Sequence, residues 1–460
     1  MKNILILILF FLSYTSKAQP WIADYSPTNF SWKYCGNPGF TADTAIQTRL
    51  AISQTGVPYL VFRDYAYGHE ISVMKFDGNA WTYVGSPGFS VNLLSNPSIV
   101  LTSSDMPLVA FNQYDNMEEI FIKKYNGNYW ETIGDIGVSH IDNLSLAISQ
   151  SDVPYIAYRL YTYPAYGGFV VNSPNSSGGW PYVGYPYKVG TGIYISLAVS
   201  PSNVPFVAYM DLDFNGKASV KKFNGTDWEY VGQSGFSTGV AYYSCLAFNP
   251  GGDPFVGFKD YSTNNKVTVM KFDGNNWLPV GLPGFSAGAV NDVSLAISST
   301  GEPFVAYRDS IFGNRTTVMK FNGSEWIYVG PPGFSAGSAS TPSIALSSAN
   351  QPFITYQDFA YSKKATVLKF DSVFVGLNDQ TGSYINLFPN PTNDRVTLEF
   401  ENNNRNVKNI AIYNNLGVKL SEFKTCNNFV NIDLLDFAPG MYFVKLSSEQ
   451  NNKFEKFFKL

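Results

Sequence analysis

A recurring carboxylate is the first candidate for chemistry in this 460-residue chain. Asp64, Asp211, Asp260, Asp309 and Asp358 each close a strand-like run of the type PFVAYRD (Pro303 to Asp309). Gln113 and Leu160 stand at two matching positions. The preceding residue is often a cation, as at Arg63, Arg159, Lys259 and Arg308, and tyrosines follow: Tyr65, Tyr67, Tyr114, Tyr161, Tyr163, Tyr261 and Tyr361. Aromatic rings beside hydrogen-bonding groups suit a sugar or a peptide, through stacking plus directed polar contacts. Two carboxylates flanking one sugar linkage would suit a glycosidase. The candidate ligand contacts are therefore Arg63, Asp64, Tyr65, Tyr114, Arg159, Tyr161, Asp260, Arg308, Asp309 and Asp358. Recurrence argues the other way for the aspartates. One active site rarely needs five copies of an acid, whereas an Asp at a strand end readily caps its own loop.

Other chemistry is sparse. Asp211-Leu212-Asp213-Phe214-Asn215-Gly216 reads D-x-D-x-N-G, an oxygen-rich turn of the kind that holds Ca2+, with Asp211, Asp213 and Asn215 as ligands. Lys222 falls where an EF-hand has its bidentate Glu, and an ordinary polar turn fits the same residues. A zinc site or a Ser-His-Asp triad would need more support than the two histidines, His69 and His140, supply. The chain contains no HExxH, G-x-S-x-G or phosphate-loop motif. Turns such as Asp273-Gly274-Asn275-Asn276-Trp277 are similar to the Asp-box of sialidases, except that Asp lies one residue too close to Gly. A sialidase-like site would recruit Arg63, Arg159 and Arg308 for a carboxylate. Charged residues are 14% and the net charge is −4, which excludes a basic nucleic-acid footprint. Cys35, Cys245 and Cys426 are too few and too scattered for a disulfide scaffold and read as core thiols.

These residues are positioned by a repeat. Prolines at 58, 107, 154, 205, 254, 303 and 352 and tryptophans at 32, 81, 130, 180, 228, 277 and 326 both recur with a period of about 49 residues. Each repeat holds four strand-like runs: A (Ser294 to Ser298), B (Pro303 to Asp309), C (Thr317 to Phe321) and D (Trp326 to Gly330), with Asn-Gly and Asp-Gly turns between C and D. Such units predict an all-β, seven-bladed β-propeller. An orphan D strand, Trp32 to Gly36, precedes the first A strand, and the last unit (Pro342 to Phe370) lacks one. Counting gives seven of each strand and predicts that the N-terminal strand completes the last blade, removing a free edge. The B–C and D–A loops then share one face.

The ends carry addresses. Lys2, the apolar run Ile4 to Leu12 and Ser16-Lys17-Ala18 read as a signal peptide over residues 1–18. The propeller is expected over 19–376, followed by a linker over 377–386. From residue 387 the composition changes, and five strand-like runs predict a small Ig-like β-sandwich. Leu387-Phe388-Pro389-Asn390-Pro391-Thr392, Ile410 to Gly417, Ile432-Asp433-Leu434, Pro439 to Lys445 and the terminal run Lys453 to Leu460 appear in that order. Residues 387–460 thereby resemble the type A sorting domain of the type IX secretion system. The resemblance implies a protein of Bacteroidota type, Sec export, passage through the outer membrane, and the secretion machinery as partner. It implies a secreted or cell-surface location, with no transmembrane segment in the mature chain. The propeller itself reads as a non-enzymatic binding or adhesion module for an extracellular glycan or protein. The alternative is a secreted glycan-active enzyme, a glycosidase or lyase using the B–C loop carboxylates.

Overall fold

The computed structural model describes residues 30–90, 94–113, 119–138, 141–161, 167–184, 188–372, 385–389, 392–400, 408–414, 419–425, 427, 429–438, 440–447 and 452–459. The expected signal peptide lies outside them. Two compact units result, one spanning Ser31–Ser372 and one drawn from Val373–Leu460. The fold is all-β and, in the larger unit, β-propeller-like.

Each repeat of the larger unit folds as predicted into antiparallel strands in the order A-B-C-D; unit 6 runs Val290–Ile297, Pro303–Asp309, Arg315–Phe321 and Trp326–Tyr328. Strand B is sandwiched on both faces. Pro107–Gln113 and Pro205–Asp211 are buried at every residue, which is why these runs are continuously apolar and do not alternate. The opening proline of each B strand sits at its first pairing position, as in Ile297↔Pro303, where a missing N–H is tolerated. The N-terminal strand Phe30–Tyr34 is hydrogen-bonded beside Lys364–Ser372, at the edge of the sheet that also holds Pro352–Asp358 and Ala339–Leu346.

The tryptophans join one unit to the next. Each indole N–H donates to a backbone carbonyl of the unit before it: Trp81 to Cys35, Trp130 to Val84, Trp180 to Ile133, Trp228 to Val183, Trp277 to Val231, Trp326 to Val280 and Trp32 to Val329, all at 2.6–2.9 Å. Five of these rings also stack on the Phe of a Pro-Gly-Phe or Ser-Gly-Phe crossover, such as Phe285 on Trp326 at 3.9 Å and Phe334 on Trp32 at 4.6 Å. Gly330 adopts φ +75° beside Trp32, and a Cβ there would lie 2.8 Å from the indole, so this corner requires glycine.

Unit 3 departs from the expected seven complete sets of strands. Its fourth strand is reduced to a single bridge, Asn172↔Tyr182, because Pro181 follows Trp180 and has no N–H to donate. Its C strand, Gly168–Asn172, pairs instead with Gly190 and Thr191 of the next A strand, so units 3 and 4 form one seven-stranded sheet. The approach is possible because residue 168 is glycine: a Cβ there would lie 2.6 Å from the Gly190 carbonyl oxygen.

The C-terminal unit contains seven strands where five were expected. Ile385–Phe388, Arg395–Phe400 and Phe429–Asp433 form one sheet; Lys419–Thr425, Lys408–Asn414, Gly440–Ser447 and Asn452–Lys459, in that order, form the other. The first strand begins two residues inside the expected linker. Lys419–Thr425 is an edge strand with no fully buried residue, and so lacks the apolar pattern that marks its neighbours. Val396, Leu398, Ile410, Ile412, Ile432, Val444 and Phe457 make the core. Among the described residues no helix is long and apolar enough to cross a membrane.

Cys35 is buried and both Cys35 and Cys245 are free thiols; Cys426 lies outside the described residues. Burial pushes each of the two thiols up to about 12, so neither is expected to react with a thiol reagent at pH near 8 until the protein unfolds. Trp277→Phe leaves the Val231 carbonyl without its donor and is expected to cost about 1–3 kcal/mol in urea unfolding. Trp32→Phe tests the same bond where the N-terminal strand joins.

Candidate functional site

The five recurring aspartates are structural caps. Asp64, Asp211, Asp309 and Asp358 are fully buried and Asp260 is 3% exposed. In each, Oδ1 accepts the N–H two residues on, from Ala66, Asp213, Ser262, Ile311 or Ala360, at 3.0–3.1 Å. In units 5, 6 and 7 Oδ2 accepts the hydroxyl of the residue eight positions on, Thr268, Thr317 or Thr366. In units 1 and 4 a tyrosine hydroxyl, Tyr83 or Tyr230, reaches Oδ2. The same eighth-position hydroxyl (Ser72, Ser219, Thr268, Thr317, Thr366) accepts the N–H of the crossover glycine, Gly88, Gly235, Gly284, Gly333 or Gly39. The set thus clamps the B–C loop to the D–A crossover. Units 2 and 3 lose all three parts together: Gln113 and Leu160 replace Asp, Phe121 and Gly168 replace the hydroxyl, and the crossovers lack Gly-Phe. The carboxylates of Asp64, Asp260, Asp309 and Asp358 are thereby committed to their own loops.

The calcium reading of Asp211, Asp213 and Asn215 meets the same obstacle. Asp211 is the buried cap of its own 3-10 turn, and Asn215 takes the left-handed position four residues on (φ 56°). Gly68, Asn264 and Ser362 occupy that position in other units. The D-x-D-x-N-G spacing is therefore that of the capped turn. Among the described residues no three His, Cys, Asp or Glu side chains gather as a metal site.

Burial raises the pKa of Asp64, Asp309 and Asp358 in spite of these bonds. A carboxyl whose folded pKa exceeds its unfolded one binds more protons folded than unfolded. Its stabilising contribution is full below the ordinary Asp value and is lost as pH rises through the raised one. Asp309→Asn keeps the acceptor for the Ile311 N–H without the charge. Its Tm relative to wild type is expected to increase as pH rises from about 4 to about 7, measured by thermal melts.

Of the predicted cations, Arg63, Arg159 and Arg308 each engage their own unit, while Lys259 reaches Asn291 of the next. Arg63 Nε donates to the His69 carbonyl at 3.1 Å and its guanidinium lies 5.9 Å from the Tyr65 ring centre. Arg159 donates to the Tyr161 hydroxyl at 2.7 Å, which donates to Asp142 at 2.9 Å. Arg308 lies 3.3 Å from Asp292. Tyr161, Tyr261 and Tyr361 are exposed. Tyr114, Tyr163 and His140 fall outside the described residues.

A convergent cluster exists on strand A, which offered no recurring motif. All seven A strands carry a β-bulge at one register position, between the pairs Ile46/Arg49, Ser95/Ser98, Asp142/Ser145, Ile193/Ser196, Tyr242/Cys245, Asn291/Ser294 and Ser340/Ser343. The bulged residue is left-handed in every case: Gln47, Asn96, Asn143, Tyr194, Tyr243, Asp292 and Thr341, with φ of 48–56°. A non-glycine residue there costs roughly 1–2 kcal/mol, and bulges that hold such strain re-aim side chains at sites. The bulge lies at the end of strand A that pairs with the end of strand B, next to the B–C loops.

In units 4 to 6 these positions draw together aromatic and charged groups. The Tyr194 ring lies 4.9 Å from Tyr243 and 6.0 Å from Tyr242. Lys259 sits over Tyr242 and Tyr243 at 5.8 and 6.0 Å and donates to Asn291 Oδ1 at 3.0 Å. Asp292, facing Arg308, also accepts the Thr341 N–H at 3.4 Å. Burial raises the Tyr194 and Tyr243 phenols and lowers Lys259. The Ser244 and Thr341 hydroxyl oxygens at the bulges are buried with no hydrogen-bond partner among the described residues. The sequence carries no positive signal for this site, because the residue at the bulge changes in type between units.

Residues 386–459 match the family described as the secretion system C-terminal sorting domain. This tail directs type IX export, so the protein is secreted or held at the cell surface. The chain is 28% identical over 86 residues to "Ulvan lyase NLR42" of Nonlabens ulvanivorans; the match covers 18% of this chain and 16% of that protein. Among solved structures it is similar to the Aleuria aurantia lectin N224Q mutant in complex with alpha-methyl-L-fucoside (TM-score 0.42, 17% identity, 64% of this chain and 99% of that one). It is also similar to Penicillium chrysogenum alpha-L-arabinanase complexed with arabinobiose (TM-score 0.44, 12% identity, 75% of this chain and 99% of that one).

Proposed function

We propose that residues 19–376 form a closed, seven-bladed β-propeller that binds glycans outside the cell, and that residues 387–460 form an Ig-like sandwich addressing it to the type IX secretion machinery. Closure is supported by the A strands. Ala45–Ile52 packs on Leu94–Leu101, each later A strand packs on the next, and Ala339–Leu346 packs back on Ala45–Ile52. Two sheets enclosing one apolar core support the sandwich.

The observation that carries the binding reading is the fate of the carboxylates. A glycosidase works with two carboxylic groups facing one bond. Here the B–C aspartates cap their own turns, and Asp292, the acid of the bulge cluster, is paired with Arg308. The phenols of Tyr194 and Tyr243 are shifted upward and stay neutral near pH 7, which makes them poor bases. What is left is a stacking platform flanked by hydrogen-bonding and charged groups, the composition of a sugar site.

A glycan array with the full-length protein tests this. Binding with unchanged glycans is expected, and Tyr243→Ala is expected to weaken it by roughly tenfold, the equivalent of about 1.4 kcal/mol. Cleaved glycans would move the protein to the enzyme reading, and silence across a broad array would remove the glycan reading.

A further inference from the structure

One position in the innermost layer breaks the repeat in a way that nothing structural requires. Immediately after each bulge, the A strands place Arg49, Ser98, Ser145, Ser196, Cys245, Ser294 and Ser343 at one register level, opposite Val61, Ala110, Ala157, Ala208, Gly257, Ala306 and Thr355. Five of the seven are serines, and all five do the same work. Each Oγ accepts a backbone N–H from the neighbouring A strand: Ser98 from Leu146, Ser145 from Leu197, Ser196 from Leu246, Ser294 from Ile344 and Ser343 from Leu50, at 3.0–3.4 Å. A serine hydroxyl that accepts in this way keeps its own proton to donate. None of the five donates to a protein acceptor among the described residues. The layer is therefore a row of acceptors committed to the neighbouring A strand, each with its own proton still to donate.

Arg49 stands in that row in place of a serine. Its Nη1 donates to the Thr48 carbonyl at 3.0 Å, and it forms no ion pair among the described residues. Four of the five guanidinium N–H groups are left for something else. The side chain is accessible to water, yet protein surrounds it closely enough that desolvation lowers its pKa, with Asp292 the opposing charge. Accessibility inside such an enclosure is what the axial channel of a propeller provides. Asp292 is already paired with Arg308. Lys259 and Arg49 thus share with Arg308 the field of one Asp292. Serine at this position would satisfy one more neighbouring N–H, as it does in five other units.

We infer that Arg49 and the serine row form an anion site in the axial channel, which takes the carboxylate or sulfate of an acidic sugar bound at the Tyr194–Tyr243 cluster. This rests on the propeller and glycan readings above and adds the ligand's charge to them. Guanidinium pairs with such planar or tetrahedral oxyanions through parallel N–H bonds, and hydroxyl donors complete the cradle. The neighbouring cysteine does not contribute, since Cys245 donates to the Gly257 carbonyl at 3.1 Å.

The test uses the full-length protein and Arg49→Ser, which restores the residue found in five other units and so leaves the layer able to fold. Without ligand, the variant is expected to melt at a higher temperature than wild type. Glucuronate and sulfate are then titrated into both proteins and the melting shifts compared. A shift in wild type that Arg49→Ser lacks supports the site; equal shifts in both, or none in either, overturn it. Calorimetry with matched acidic and neutral oligosaccharides separates the two readings. Wild type is expected to prefer the acidic member by roughly tenfold or more, and the variant to bind both alike. A preference retained in the variant overturns the channel site while leaving the glycan platform standing. If no oligosaccharide binds but the wild-type-specific anion shift persists, the platform fails and the anion site stands.

Discussion

The bond from a tryptophan indole N–H to a carbonyl of the preceding unit is the constraint on which the larger unit depends. It occurs at all seven joints with nearly one length. A four-stranded sheet buries its faces only against neighbours, so each unit's stability is a property of its joints. The indole fixes the spacing at one end of a joint, and at five joints a serine Oγ to N–H bond between A strands fixes it at the other. Between them the B strands can be apolar throughout, because both of their faces are covered.

Around that frame the chain uses a second device, the Asp–hydroxyl–glycine clamp, wherever a Gly-Phe crossover is present. Its members come and go as a set. The loss of Asp in units 2 and 3 coincides with loss of the hydroxyl and of the crossover, and those crossovers also lack the Phe that stacks on tryptophan elsewhere. Unit 3 compensates by a different route, pairing its short C strand to the A strand of unit 4 through two glycines.

Recurrence made the scaffold legible and hid the site. Proline, tryptophan and the Asn-Gly turns announce strand order, because each solves the same backbone problem in each unit. Recurrence of Asp64, Asp211, Asp260, Asp309 and Asp358 points to capping, and each carboxylate is buried against its own loop. Gln47, Asn96, Asn143, Tyr194, Tyr243, Asp292 and Thr341 follow the same period with no shared chemistry, and a left-handed bulge has no residue signature when the residue is not glycine. Arg49 is hidden for the same reason: one arginine in a row of five serines and a cysteine means little until the strands are known to lie side by side. The missing fourth strand of unit 3 was masked because Trp180 is retained, and its indole makes the usual bond even though Pro181 cannot enter a ladder.

The pairing of Phe30–Tyr34 with Lys364–Ser372 has a kinetic consequence. Trp32 and Val329, the partners at that joint, are 297 residues apart in the chain. Contacts of such long range form late, since the intervening chain must be ordered or its closure entropy overcome. A chain emerging gradually from a ribosome or a translocation pore cannot make this joint until nearly the whole unit has arrived. The N-terminal strand therefore stays unpaired through most of synthesis, and the native state is reached in one late step. For a protein destined to cross a membrane before it works, a fold whose final strand is supplied by its own beginning delays completion until transit allows it.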